Sequence, residues 1–81
     1  MTKDIENQVA NMARAAFRLF ENAKDDNDDD TAEIKITVSG SILKTAALVE
    51  QGVELSDAVA QNFLPEARFD ALVNLQKIGQ F

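Results

Sequence analysis

The sequence predicts a mostly α-helical fold with a single β-strand, on three observations. Apolar residues between Thr2 and Lys24 recur at spacings of three and four, as on one face of a helix. Ile34, Ile36 and Val38 then alternate with Glu33, Lys35, Thr37 and Ser39, the period-two pattern of a strand with one buried face. Beyond Ser41 the helical spacing returns and persists to Ile78. With 81 residues the chain is read as one small domain, 1–81, of a size at which a single core leaves little net stability.

The first element, Thr2 to Lys24, is an amphipathic helix whose seam is Ile5, Val9, Met12, Ala16, Leu19 and Ala23. Thr2 suits its N-cap, and Asp4 and Glu6 sit where the positive end of the helix dipole favours them. Ala10, Ala13, Phe17 and Phe20 widen the apolar face beyond a strict seam, enough for the helix to pack within its own domain or against another subunit.

Residues 25–33 form an acidic loop in this reading. Asp25, Asp26, Asp28, Asp29, Asp30 and Glu33 hold the whole net charge of −6, while residues 1–24 carry +1 and 34–81 carry −1. Crowded like charges, and the preference of Asp and Asn for caps and turns, end the first helix there. Asp25, Asn27 and Asp29 imitate the opening of a calcium loop, but Asp30 replaces the required glycine and Ile36 the bidentate glutamate, so no metal site is expected. The aspartates Asp25, Asp26, Asp28, Asp29 and Asp30 are instead candidate contacts for a basic protein partner.

A lone strand cannot satisfy its own backbone donors and acceptors, and a second copy is the economical partner. The sequence therefore predicts a homo-oligomer joined through Ile34, Ile36, Val38 and the N-terminal helix. Ser39-Gly40-Ser41 would turn the chain into a helix from Ile42 to about Gln51, closed by Gly52. Such a strand-to-helix turn presents free amides and hydroxyls with Lys44 one turn in, which makes Ser39, Gly40, Ser41 and Lys44 candidate anion ligands. A full nucleotide-binding loop is absent.

Ser56 suits an N-cap, with Leu55 placed to pack against Ala60 and a short helix over Asp57 to Phe63. Pro65 forces residue 64 toward extended geometry and opens a last helix from Pro65 to Ile78, which Gly79 stops. Its buried side would be Phe69, Leu72, Val73 and Leu75 or Ile78. One kinked helix over 57–78 is the alternative. The terminal Phe81 either packs or is free.

Composition removes several functions. The chain has no Cys, His, Trp or Tyr, which excludes disulfides, thiolate and imidazole catalysis and the usual zinc sites. Carboxylates, serines and lysines remain, but none stands in a recognisable catalytic constellation, so a non-enzyme without cofactor is expected. No secretory leader and no apolar run near the ~18 residues of a membrane span is visible, and a cytoplasmic protein with no membrane contact is the expectation.

The succession of strand, helix, turn and helix over residues 33–64 is similar to ribbon-helix-helix DNA-binding proteins. The resemblance implies a dimer whose paired strands enter the major groove, with Lys35 and Thr37 facing the bases. Phosphate contacts from Lys and Arg dominate DNA affinity, and the carboxylates beside this ribbon oppose it. The principal expectation is therefore a small non-enzymatic, homo-oligomeric binding or inhibitor protein. It would occlude a larger partner, as many accessory proteins of mobile elements do. The alternatives are a ribbon-helix-helix-like DNA-binding regulator, and sequestration of a small anion at the Ser39–Lys44 turn.

Overall fold

The acidic run does not lead into a strand; it starts a helix. In the computed structural model, which describes residues 2–79 and the side chains of 3–79, α1 spans Thr2–Lys24 and α2 spans Asp29–Glu50. Only residues 25–28 connect them. Asp28 is the N-cap of α2: its carboxylate accepts the Asp30 amide at 3.3 Å and the Thr31 hydroxyl at 2.6 Å. Asp29 and Asp30 then occupy the first turn, where the helix dipole favours carboxylates. A charge run that would disrupt a helix interior therefore opens one.

This overturns the expected strand. Residues 33–39 lie inside α2, and no strand occurs among the described residues. The alternation of Ile34, Ile36 and Val38 coexists with a helical series, Val38, Ile42, Ala46 and Val49, and burial against α1 selects the second pattern. Ile42, Ala46 and Val49 are buried and Val38 packs on the core, while Ile34 and Ile36 are 63% and 47% exposed. Intrinsic β-propensity is a weak term beside that packing. The turn expected at Ser39-Gly40-Ser41 is likewise absent, because all three residues continue α2. Ser39 is buried and donates to the Ile36 carbonyl at 2.7 Å; buried Thr45 donates to the Ser41 carbonyl at 2.8 Å. Both hydroxyls are thus satisfied within their own helix.

The expected seam of α1 stands. Met12, Ala16 and Ala23 are buried in the α1–α2 packing, with Val9 and Leu19 partly buried, while Ile5 is 39% exposed. Lys35 ties the connection down, its Nζ 2.7 Å from Asp26 Oδ2. That oxygen has no well-aligned hydrogen-bond donor, so the contact is an ion pair rather than a hydrogen bond.

Helix α2 ends as the sequence predicts. Gly52 adopts φ 102°, with its amide on the Val49 carbonyl and the Val53 amide on the Leu48 carbonyl, both at 3.0 Å. These are the two bonds of a Schellman cap, and the left-handed conformation suits glycine. Helix α3, Leu55–Asn62, begins earlier than expected: Glu54 rather than Ser56 is its N-cap, without a side-chain bond, because Leu55 is drawn into the core. Pro65 opens a 3-10 turn, Pro65–Ala67, which leads into α4, Arg68–Gly79, so residues 57–78 form two helices rather than one. Helix α4 is anchored by Leu75, 2% exposed, with Ala71, Leu72 and Ile78 beside it. Phe69, expected to be buried, is 77% exposed; on a turn this close to the Pro65 break its flank points away from the bundle. In α3 Val59 is buried and the C-cap residue Phe63 packs on the core, whereas Leu64 is 68% exposed. Thr2, expected as the N-cap, is the first residue of α1, its side chain not among those described, and Phe81 lies outside the described residues.

The molecule is an α1–α2 hairpin with α3 and α4 laid on one flank, measuring 42 × 24 × 18 Å. A continuous α2 makes Gly40 an interior helical glycine, with open space within 4 Å of the position a Cβ would take. Replacing it by alanine, Gly40→Ala, is expected to raise the unfolding free energy by about 0.5–1 kcal/mol in urea titrations. A loss of stability would instead indicate a turn that needs glycine.

Candidate functional site

The flank on which α3 and α4 lie is only partly covered. Helix α4 meets α1 at its far end, where Gly79 lies so close to Gln8 that an added Cβ would stand 2.8 Å from Gln8 Cγ. At its near end α4 is held by the 63–68 connection, in which Arg68 Nε donates to the Phe63 carbonyl at 3.0 Å and the Ala67 amide to the Leu64 carbonyl at 2.9 Å. Between these anchors runs an open groove of about 740 Å³. Leu19 of α1, Val38 and Ile42 of α2, Phe63, and Leu75 and Ile78 of α4 line its apolar part. Ala15, Ala67 and Ala71 line it too, and their short side chains leave the volume unfilled.

The rim is polar and carries one cation on each wall and a carboxylate on the second. Arg18 and Asn22 stand on the α1 side, Asp70, Asn74 and Lys77 on the α4 side. Among the described residues, neither Arg18 nor Lys77 forms an ion pair. Two smaller hollows continue the groove along α2 and share Val38 with it, one reaching Thr37, Ser41 and Asn62, the other Asp30 and Ile34. Ile34, Val38 and Ile42, each four residues apart, therefore form one apolar track leading from the hairpin tip into the groove. Such a surface can take an amphipathic helix through residues at i, i+4 and i+7.

The residues singled out from sequence fall elsewhere or do other work. Ser39, Gly40, Ser41 and Lys44 lie in the interior of α2, whose amides close the helical ladder, so the expected cluster of free amides does not form. Lys35 and Thr37 do not share a ribbon: Lys35 is half-buried against Asp26, and Thr37 is exposed on the groove flank. Of the aspartates, Asp26 holds Lys35, Asp28 caps α2, and Asp29 and Asp30 form its first turn, while Asp25 remains exposed. Among the described residues no group of three or more potential metal ligands converges, and no helix is long and apolar enough to cross a membrane. The sequence reading does not find the groove. Its signal is the series Ile34, Val38, Ile42 at helical spacing, hidden beside the shorter alternation.

No protein-family model matches the chain, and neither a curated protein nor a solved structure matches it.

The Asp28 cap carries a pH signature. The Thr31 hydroxyl lowers the Asp28 carboxyl from its ordinary 3.8; partial loss of hydration acts against this, and the Asp30 and Thr31 amides reinforce it. A depressed folded value contributes stability that is fully present above 3.8 and is lost as pH falls through the lowered value. Asp28→Ala is expected to lower Tm by about 4–8 °C near neutral pH. Asp28→Asn, which still caps but does not titrate, should retain most of that stability and lose part of the decline in Tm below about pH 4. Identical acid profiles for the native chain and Asp28→Asn would contradict the cap.

Proposed function

We propose that the chain is a small non-enzymatic binding protein that occludes part of a larger protein by taking one of its amphipathic helices into the groove between α1, α2 and α4. The open groove carries this reading, since it lies where a bundle would seat its next helix. The occupant is a helix with an apolar stripe for Leu19, Val38, Ile42 and Ile78, and with acidic flanks for Arg18 and Lys77, the rim cations that form no ion pair among the described residues. Charge at the rim sets orientation and association rate more than affinity, so the apolar stripe supplies most of the binding energy.

Catalysis is not part of this reading, because the composition withholds His and Cys. Nor is groove-reading of DNA, because Lys35 and Thr37 occupy a helix in which one is committed to Asp26.

The absence of native cysteine allows a site-specific test. A photo-crosslinker attached through Asn74→Cys, on the groove rim, is compared in host-cell extract with the same label at Lys44→Cys, outside the groove. The expected result is a discrete protein adduct from position 74 only, competed by unlabelled native chain but not by Ala71→Trp, which fills the groove. Adducts of equal yield from both positions, or competition by Ala71→Trp as strong as by the native chain, would overturn the groove as the binding site.

A further inference from the structure

One of the hollows adjoining the groove holds a fixed cation without a partner. It lies between α2, the end of α3 and the start of α4, has a volume of about 520 Å³, and shares Val38, Phe63 and Ala67 with the groove. Arg68, an exposed residue, lines it. Its Nε donates to the Phe63 carbonyl at 3.0 Å, which fixes the plane of the guanidinium and leaves the two Nη groups as donors. Among the described residues those groups form no hydrogen bond and no ion pair. Glu66 and Asp70, two positions to either side, do not engage them.

Helix α2 supplies two hydroxyls to the same hollow, Thr37 and Ser41, one turn apart. Every other hydroxyl of α2 is engaged: Thr31 donates to Asp28, Ser39 to the Ile36 carbonyl and Thr45 to the Ser41 carbonyl. Those of Thr37 and Ser41 donate to nothing among the described residues and are open to an acceptor. Arg68 is the only charged residue in the lining, and the Asn62 amide is turned onto the Ala58 carbonyl.

An oriented guanidinium with two donor hydroxyls in a hollow free of acidic side chains suits an anion. Charge decides which anion. The chain carries −6, and Asp30 and Glu33 line the next hollow beside Thr37, so a dianionic phosphate meets more repulsion than one cation offsets, whereas a carboxylate is accommodated. We infer that Thr37, Ser41 and Arg68 form a carboxylate subsite whose ligand is an Asp or Glu side chain of the helix proposed for the groove, one turn beyond the apolar residue seated on Val38. This rests on the groove reading and deepens it: apolar contact holds the helix, and the subsite sets its register and direction. Ser41 acts here through its hydroxyl beside Arg68, not through the turn amides expected from sequence.

The test has two parts. In NMR titrations sodium acetate replaces sodium chloride at constant ionic strength, and the Arg68 Nε–H signal is followed with that of Arg18 as the comparison. The expected result is a saturable shift at Arg68 and at the Thr37 and Ser41 amides, weakened several-fold in Thr37→Val combined with Ser41→Ala, and no saturation at Arg18. Circular dichroism checks that the double variant stays helical. A response at Arg68 no stronger than at Arg18, or one the double variant leaves unchanged, would overturn the subsite. Saturation by inorganic phosphate at lower concentration than by acetate would overturn its assignment to a carboxylate. In the second part the double variant carries the crosslinker at Asn74→Cys and should give the groove adduct at several-fold lower yield. Undiminished yield would overturn the assignment of the subsite to the groove helix. Absence of any adduct from the native chain would overturn the groove reading and this ligand with it, while the acetate titration still decides the subsite.

Discussion

Everything in this small protein hangs on the seam between α1 and α2. Met12, Ala16 and Ala23 on one side meet Ile42, Ala46 and Val49 on the other, with Ser39 and Thr45 turning their hydroxyls back onto their own helix. Truncating a fully buried side chain such as Met12 costs about 2–5 kcal/mol, a large share of what a domain of this size possesses. That term outweighs local preference in Glu33–Ser39 and fixes it as helix. The cap at Asp28 and the Lys35–Asp26 pair then set where the second helix starts, at much smaller energies.

From the seam follow the two flanks of the molecule. A hairpin has two flanks, and α3 and α4 are too short to cover even one of them completely. Helix α4 touches α1 at Gln8 and closes toward α2 through Phe63, leaving the groove between. The other flank has no described element laid on it. The two differ in character: the groove is concave with Arg18 and Lys77 on its rim, whereas the far flank carries Phe, Ile, Leu and Ala among charges of both signs.

Much of the fold was legible in the sequence where one signal acted alone. The seam of α1 and the Gly52 cap each had one physical meaning and stand in the structure, and of the two readings of Pro65 the structure takes the break into two helices. Error entered where two readings of the same residues competed. Ile34, Ile36 and Val38 fit a strand at period two, while Ile34, Val38 and Ile42 fit a helix at period four; only contact with α1, which no local pattern carries, decides between them. Ser39-Gly40-Ser41 has turn composition but lies in the interior of a helix, and the aspartate run has loop composition but serves as a helix start. The anion and DNA-reading assignments at Ser39, Gly40, Ser41, Lys44, Lys35 and Thr37 all descended from that strand. The groove depends on how α4 crosses the hairpin, and short alanines that leave a space give no signal of their own.

The most direct test of the continuous α2 is a backbone NMR assignment of residues 29–50, reading Cα and Cβ chemical shifts with amide exchange. An unbroken series of helical shifts from Asp29 to Glu50, with slow exchange around Ser39 to Val49 where the helix packs on α1, is the expected result. Extended-chain shifts over Ile34–Val38, followed by a break at Ser39–Ser41, would contradict it, and the groove would lose the helix on which it is built.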